Sequence, residues 1–264
     1  MKDFNNKTVW ITGASDGIGK ELAIQMAKAG AKIVLTARSV EKLTAVKEDL
    51  AGSGHLVYPM DLLQVDAIAA AAQEVIGKMG EIDILVNNAG ISQRSLVKDT
   101  VLDVDRKIME IDHFAVVALT KAVFPQMMER KKGLIITISS VAGKIGTPMR
   151  SAYCAAKHAV IGFMDSLRAE AHAYDVKVMV VTPGSVQTNI SVNALEGDGK
   201  KHNVTDPLIA NGIPVEECVK RIIKGIKNET PELLIARGKE KMAVYARRFF
   251  PRQLFKIMTK LQAT

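Results

Sequence analysis

Short apolar runs alternate with helical segments along most of the chain, and no other feature of the sequence limits the fold as strongly. Such runs, bounded by turn residues, predict strands buried on both faces, as in a parallel sheet covered by helices. The predicted strands are residues 8–12, 32–36, 55–60, 82–86, 134–138, 177–181 and 232–235, and the predicted helices are residues 17–29, 39–50, 65–79, 101–130, 151–174 and 215–228. The pattern predicts an α/β fold, a Rossmann-type doubly wound parallel sheet of about seven strands with right-handed crossovers.

Neither a linker nor an internal repeat divides the first 236 residues, which are expected to form one domain followed by a tail over 237–264. The two cysteines, Cys154 and Cys218, belong to no CxxC pair or His/Cys cluster, so we expect neither a disulfide framework nor a metal site. The polar opening residues and the lack of a long apolar run predict neither a secretory signal nor a spanning helix. A cytoplasmic location is expected.

The net charge of +8 is concentrated in the tail, because residues 237–264 carry eight basic side chains against the single acid Glu240. The body is therefore nearly neutral, which argues against a nucleic-acid-binding fold. Aromatic and aliphatic residues alternate with the basic ones, and Pro251 is expected to divide the tail into two helices. A basic amphipathic tail either lies on an anionic membrane surface or packs on the protein with a solvated basic face.

A glycine-rich segment, Thr12-Gly13-Ala14-Ser15-Asp16-Gly17-Ile18-Gly19, joins the first predicted strand to the first predicted helix. Glycines allow a tight turn and close approach of a pyrophosphate, and the helix N-terminus adds N–H groups and a positive dipole. The segment predicts a dinucleotide site. The alternative is a structural turn without a ligand.

Three further motifs follow: Asn87-Asn88-Ala89-Gly90, then Ser140 with Tyr153-x-x-x-Lys157, then Pro183-Gly184. With the glycine spacing of the turn, they make residues 6–236 resemble the short-chain dehydrogenase/reductase family. The segments 118–122 and 151–159 are similar to its membrane-associated reductases of lipophilic carbonyls. The resemblance implies an oxidoreductase that transfers a hydride between a nicotinamide cofactor and a small-molecule carbonyl or alcohol, such as a steroid, retinoid or acyl-chain ketone.

The resemblance also implies which residues contact the cofactor: Gly13, Ser15, Asp16, Gly17, Ile18, Gly19, Arg38, Asp61, Leu62, Asn88, Ala89, Gly90, Tyr153, Lys157, Pro183, Gly184, Val186 and Thr188. An acid at the end of the second strand would bind a ribose 2′-OH and repel a 2′-phosphate, but residues 35–39 contain none. Arg38 can instead pair with a 2′-phosphate, which predicts NADP(H) over NAD(H). The alternative is that Arg38 is merely solvated. Asp16 is discordant, since a carboxylate there either repels the phosphate or caps the following helix.

Tyr153 and Lys157 are four residues apart, so they share one face of a helix. Proton exchange at a carbonyl oxygen suits a tyrosine whose pKa is lowered by a nearby ammonium. The resemblance makes Tyr153 the acid/base, with Lys157 lowering its pKa and Ser140 polarising the substrate oxygen. The family usually has an Asn that holds a water on a proton path to the lysine, and this chain has Asp112 at that position. The Asp112 carboxylate either binds that water or pairs with Lys157.

The polar segment 187–211 is expected to form a substrate lid. Substrate contacts are expected from Ser140 and Tyr153, with Gln93, Ile145, Met149 and Val186 on the pocket wall. The two long helices imply, through the resemblance, a homodimer or homotetramer. A cofactor-binding sensor or scaffold with little turnover is the alternative function, and Asp112 is the feature that favours it.

Overall fold

The computed structural model describes residues 4–260, which contain one seven-stranded sheet with helices on both faces. The strands are β1 (Thr8–Thr12), β2 (Lys32–Thr36), β3 (Leu56–Val57), β4 (Ile84–Asn87), β5 (Gly133–Ile138), β6 (Val176–Pro183) and β7 (Glu232–Ile235). Their order is β3-β2-β1-β4-β5-β6-β7, and every pairing is parallel. The predicted doubly wound parallel sheet is confirmed.

The helices on the body are α1 (Gly17–Lys28), α2 (Val40–Glu48), α3 (Ile68–Met79), α4 (Leu102–Met109), α5 (Ala115–Glu129), α6 (Ser151–Ala171), α7 (Pro207–Ala210) and α8 (Val215–Lys227). The tail adds α9 (Gly238–Phe249) and α10 (Pro251–Met258), divided at Pro251 as predicted. Among the described residues, no helix combines the length and the apolarity needed to cross a membrane.

The residues of strand β1 are apolar or small because both faces of the strand are buried. Val9 and Ile11 enter the core beneath α1, α2 and α8, whereas Trp10 enters the core beneath α3, α5 and α6. The indole N–H of Trp10 donates to the Thr36 hydroxyl at 2.8 Å, so the buried ring leaves no polar group unpaired. Because alternate residues serve opposite cores, a central strand cannot carry a polar face.

Two predicted elements differ from the observed ones. The third strand was predicted over 55–60 but is regular only at Leu56–Val57, at the sheet edge beside β2. Backbone hydrogen bonds from Tyr58 to Leu35 (2.9 Å) and from Met60 to Ala37 (3.0 Å) continue beyond it. The predicted helix over 101–130 is divided by a π-helical turn at Glu110–Phe114, between α4 and α5. Single π-helical turns inside α-helices are frequent at functional sites, and this one carries Asp112.

The carboxyl ends of the four central strands β1, β4, β5 and β6 meet at one edge of the sheet. The glycine-rich turn follows β1, the Asn-Asn-Ala-Gly segment ends β4, Ser140 follows β5, and Pro183 ends β6. A parallel sheet places such segments side by side at its carboxyl edge, which is where ligands bind in this architecture.

Candidate active site

The glycine-rich turn has no room for side chains at its glycines. A Cβ at Gly19 would lie 2.3 Å from the carbonyl oxygen of Gly13, and one at Gly13 would lie 2.8 Å from the Cα of Ala89. Gly13 and Gly17 also have positive φ values of 65° and 53°, a conformation that glycine adopts without strain. The backbone therefore lies exposed where a pyrophosphate would approach the N-terminus of α1.

Asn88 and Thr12 tie this turn to the end of β4. The Asn88 side-chain amide donates to the carbonyl oxygens of Thr12 (2.9 Å) and Gly13 (3.2 Å). The Thr12 hydroxyl accepts from the backbone N–H groups of Asn88 (3.0 Å) and Ala89 (3.1 Å). Two loops from neighbouring strands are thus held in one orientation, so their backbone groups are fixed before any ligand binds.

Asp16 caps α1, as one of the two sequence interpretations proposed. Its Oδ1 accepts from the backbone N–H of Gly17 at 2.7 Å, and its Oδ2 accepts from the side-chain amide of Asn189 at 2.7 Å. The methyl carbon of Thr188 would lie 3.0 Å from a Cβ at Gly17. The start of the 187–211 segment therefore lies against the glycine-rich turn, at the place where a cofactor pyrophosphate would fit.

Ser140 and Tyr153 are brought together after β5. Ser140 lies two residues beyond β5 with an extended backbone, and its hydroxyl accepts from the N–H of Ala142 at 3.1 Å, which caps a short 3₁₀ turn. Burial raises the pKa of Tyr153, and the neighbouring Ser140 hydroxyl acts in the opposite direction. Tyr153 lies in the first turn of α6 and is half-buried.

Lys157 is buried one helical turn further along α6. Its Nζ lies 5.7 Å from the centre of the Tyr153 ring, donates to the carbonyl oxygen of Ile138 at 3.2 Å, and lies 3.1 Å from Oδ2 of Asp112. The other Asp112 oxygen, Oδ1, accepts from the backbone N–H of Ile91 at 2.8 Å. Of the two sequence interpretations of Asp112, the structure shows pairing with Lys157.

The short chain dehydrogenase family profile matches residues 7–199 of this sequence. The chain belongs to the short-chain dehydrogenase/reductase family. Dehydrogenase/reductase SDR family member 7B of Mus musculus is 44% identical over 259 residues, which cover 96% of this chain and 80% of the mouse protein. The Drosophila melanogaster dehydrogenase/reductase SDR family protein 7-like is 40% identical over 260 residues, covering 96% and 80%.

Solved structures of short-chain dehydrogenases have the same fold. A metagenomic short-chain oxidoreductase in complex with NADP is 31% identical, with a TM-score of 0.72 over 88% of this chain and 98% of that chain. A Burkholderia phymatum short-chain dehydrogenase/reductase in complex with NAD has a TM-score of 0.83 at 19% identity, over 100% and 98% of the two chains, which shows a shared fold. These two relatives were solved with different nicotinamide cofactors.

In this family member, burial and the two neighbouring charges act on the pKa of Tyr153 in different directions. Burial raises it, the Lys157 ammonium lowers it, and the Asp112 carboxylate raises it again, with a raised pKa as the net result. The predicted lowering by Lys157 is thus present but outweighed. Burial alone would lower the pKa of Lys157, but Asp112 and Tyr153 raise it above its usual range, so Lys157 is an ammonium.

The expected substrate-side residues have unequal surroundings. Gln93 is fully buried: its amide donates to the Thr100 hydroxyl at 2.9 Å, and its Oε1 accepts from the N–H of Ala152 at 2.9 Å. Because no side chain of the preceding residue caps α6, Gln93 supplies that cap. Its polar atoms are therefore engaged in positioning the helix that carries Tyr153. Its place on the substrate pocket wall stays a prediction.

Ile145, Met149 and Val186 lie around the same end of the sheet. Ile145 and Val186 are buried, Val186 within the core beneath α1 and α8. Met149 has a φ of +61°, an uncommon conformation for a residue with a side chain, and it lies in the loop between Ser140 and Tyr153. Strain of this kind costs about 1–3 kcal/mol and clusters at functional sites.

Among the remaining cofactor candidates, Arg38 is exposed just beyond β2, and Asp61 lies beyond β3, where its Oδ1 accepts from the N–H of Leu63 at 3.1 Å. Leu62 is half-buried against the core under α3 and α5. Gly184 lies beneath the tail, since a Cβ there would lie 2.1 Å from a carboxylate oxygen of Glu240.

The sequence did not predict a charged cluster of Arg94, Arg150 and Asp206 near Tyr153. Oδ2 of Asp206 accepts from Arg94 at 3.2 Å and from Arg150 at 2.7 Å, joining the 187–211 segment to both sides of the active site. Arg94 is buried, and Tyr153 acts electrostatically on its guanidinium. No local spacing links residues 94, 150 and 206, so only the fold reveals this cluster.

The tail packs on the body through one face. Leu254 is buried against Val141 and Ile145, and Val244 and Met258 are half-buried beside them. Glu240 accepts from the backbone N–H of Ser185 at 3.0 Å and from its hydroxyl at 2.7 Å. The tail therefore contacts both the segment that follows Ser140 and the segment that follows β6.

Proposed function

We propose that this chain is an NADP(H)-dependent oxidoreductase that interconverts a lipophilic carbonyl compound and its alcohol. The observation that carries the proposal is the convergence of Ser140, Tyr153 and Lys157 beside the glycine-rich turn. A bound nicotinamide supplies or accepts the hydride in such a reaction. Everything else has to come from the side chains and backbone groups at the carboxyl edge of the sheet.

Each of the three residues has a distinct task. The Ser140 hydroxyl orients the substrate oxygen and stabilises the negative charge that develops on it. The Tyr153 hydroxyl donates a proton to that oxygen during reduction and takes it back during oxidation. The Lys157 ammonium, fixed by Ile138 and Asp112, is held near the Tyr153 ring and favours the ionised phenolate.

The surroundings of Arg38 support a preference for NADP(H). Arg38 is exposed at the carboxyl end of β2, and within residues 4–260 no carboxylate lies within ion-pair distance of it. Asp16, the discordant acid, is held by Gly17 and Asn189. A guanidinium without a competing partner suits bidentate contact with a 2′-phosphate.

Binding measurements test this preference. Energy transfer from Trp10, the single tryptophan, to bound NADPH or NADH gives both affinities. We expect Arg38→Ala to weaken NADPH binding at least about tenfold, as loss of a charged hydrogen bond costs about 1.5–3 kcal/mol, while NADH binding is unchanged. Arg106→Ala, which removes an exposed arginine of α4 paired with Asp103, is the matched control. A native preference for NADH would refute this interpretation of Arg38.

An apolar cavity supports the lipophilic substrate class. It has a volume of about 470 Å³ and lies between the loop Gly146–Pro148, Cys154 on α6, and the tail residues Phe255 and Met258. The cavity borders the loop that links Ser140 to Tyr153, which supports a role in taking the apolar part of the substrate. A panel of carbonyl compounds of increasing chain length, assayed with NADPH, tests this: kcat/KM should rise with chain length and then level off.

The alternative function is a cofactor-binding sensor or scaffold. The observation that favours it is the ion pair between Asp112 and Lys157. A carboxylate on the lysine weakens the effect of that lysine on Tyr153. Tight cofactor binding without turnover of any carbonyl or alcohol in the panel would favour this alternative over the enzyme.

We further propose that the tail contacts an anionic membrane surface. After its packed face is buried, the tail still exposes the apolar side chains of Met242, Tyr245, Phe249 and Phe250, and all eight of its basic residues are exposed. Deleting the tail would uncover Val141 and Ile145, so point variants are the better test. Phe249→Ser with Phe250→Ser should reduce flotation with phosphatidylserine vesicles, whereas Leu208→Ser, an exposed residue of α7, should not. Equal flotation of all three proteins would refute membrane contact.

A homodimer or homotetramer built on the exposed faces of α5 and α6 completes the proposal. Sedimentation equilibrium measures the state directly, and a monomer at micromolar concentration would refute it.

A further inference from the structure

The carboxylate of Asp112 is completely buried, and the structure gives it two contacts: the Ile91 N–H on Oδ1 and the Lys157 ammonium on Oδ2. Its position depends on the π-helical turn Glu110–Phe114 and on the absence of a side chain at Gly90, where a Cβ would lie 2.9 Å from Oδ2. A buried charge is costly unless it is paired. Burial raises the pKa of Asp112, whereas the Lys157 ammonium and the Ile91 N–H act in the opposite direction and favour the carboxylate.

The charges around Tyr153 can be assigned to the elements that pack on it. Lys157 on the same helix is positive, and Asp112 from the turn between α4 and α5 is negative. Arg94 and Arg150 share Asp206 on the substrate side, and the Cys154 thiol is the remaining titratable neighbour. An asparagine at position 112 would leave the ammonium of Lys157 without its counter-charge.

We propose that Asp112 is a positioning residue that neutralises Lys157 and thereby keeps Tyr153 protonated to a higher pH than Lys157 alone would allow. This inference rests on the proposed function, because it concerns the acid/base of that reaction. By this proposal, the Asp112 carboxylate sets the pH range over which Tyr153 can donate its proton.

The electrostatics of the site agree in direction. The pKa of Tyr153 is raised by burial, and the Asp112 carboxylate raises it further against the opposing effect of Lys157. Removing the Asp112 carboxylate takes away one effect that raises the pKa of Tyr153. It also takes away one effect that raises the pKa of Lys157, but Tyr153 still favours the ammonium and the Ile138 carbonyl still accepts from it. With Lys157 still charged, the phenolate becomes easier to form. Reduction needs protonated Tyr153 and oxidation needs the phenolate. In Asp112→Asn, the upper pH limit of reduction and the lower pH limit of oxidation therefore both move down. The overall equilibrium between carbonyl and alcohol is unchanged.

Tyrosinate absorbance near 295 nm measures this without a substrate. Subtracting the alkaline titration of Tyr153→Phe from that of the parent protein isolates one tyrosine of four. We expect the parent to show no Tyr153 transition below about pH 10, the usual tyrosine pKa. The Asp112→Asn protein, compared with its own Tyr153→Phe double variant, should show the transition about one pH unit or more lower.

Two variants guard against a purely structural effect. Asp112→Ser removes the same charge with a smaller side chain and should shift the transition in the same direction. Asp103→Asn removes an exposed carboxylate of α4 and should leave it unchanged. Thermal melting and cofactor affinity show that each variant is folded.

A transition in Asp112→Asn that coincides with that of the parent, lies higher, or is absent throughout the folded range overturns the proposal. Since this readout needs no turnover, a shift without any measurable carbonyl reduction would support the role of Asp112 and count separately against the proposed function. With an identified substrate, the alkaline limit of reduction should move down by the same amount as the spectroscopic transition.

Discussion

Replacing Gly19 with alanine tests whether the glycine-rich turn is fixed by packing. The added methyl carbon would lie 2.3 Å from the Gly13 carbonyl oxygen and 2.5 Å from the Asn88 amide nitrogen. Ordinary carbon–oxygen contacts lie at about 3.3–3.6 Å, so the carbonyl would have to retreat by about 1 Å. Asn88 donates to both Thr12 and Gly13, so this movement breaks one or both of its hydrogen bonds.

The cost follows from these contacts. Overpacking of this kind costs about 1–3 kcal/mol, and each hydrogen bond lost costs about 1 kcal/mol. Alanine regains up to about 1 kcal/mol in the helix, which leaves a net loss of about 1–5 kcal/mol in the free energy of unfolding, with a central value of about 2.5 kcal/mol. For a chain of this size, we expect the melting temperature to fall by about 5–10 °C. NADPH affinity should fall at least about tenfold, because the displaced turn no longer presents its N–H groups together.

Gly77→Ala is the matched control, because Gly77 is also a helical glycine but a Cβ there meets nothing within 4 Å. It should raise the free energy of unfolding by about 0.5–1 kcal/mol and leave NADPH affinity unchanged. Differential scanning calorimetry and energy transfer from Trp10 measure the two quantities. A Gly19→Ala protein that melts and binds NADPH like the parent would refute the argument that this turn is sterically fixed.

Three further outcomes are expected. Gln93→Ala leaves the N–H of Ala152 without its acceptor, so thermal melting should show a loss of about 1–3 kcal/mol, and kcat should fall while NADPH affinity is kept; unchanged stability would show that α6 needs no cap. Tyr153→Phe should lower kcat by about 10²–10⁴ with NADPH affinity within threefold, measured by stopped-flow reduction and fluorescence; substantial remaining turnover would point to another proton donor. Burial raises the pKa of Cys218 to about 12, so a thiol reagent at pH 8 should modify it only after denaturation, and rapid modification of the native protein would contradict its buried position.

The sequence predicted the parallel sheet and most of its elements because their signals are local. Apolar runs such as Thr8–Thr12 have the length of a strand, and turn residues bound them. The start of α2 is another local feature, since the hydroxyl of Ser39, the first residue of the predicted helix 39–50, accepts from the Lys42 N–H at 3.2 Å. Signals of this kind depend on neighbours along the chain, which a single sequence displays in full.

The features that were missed depend on distant residues. The π-helical turn at Glu110–Phe114 brings Asp112 to Ile91 and Lys157, and nothing in residues 101–130 alone requires the extra residue in that turn. Gln93 likewise caps α6 from 59 residues away. The residue types at the site were recognisable from motifs, but their mutual charge balance required the fold.

Glu240 links the tail to the end of β6, and this link matters when the protein is fused to another domain. It is the single acid of residues 237–264, and it holds Ser185, the residue that follows the Pro183-Gly184 motif at the end of β6. We expect that a large domain fused behind the tail would displace α9 and, through Glu240, this motif. Rates measured with such a fusion should therefore be compared with those of the protein after its removal.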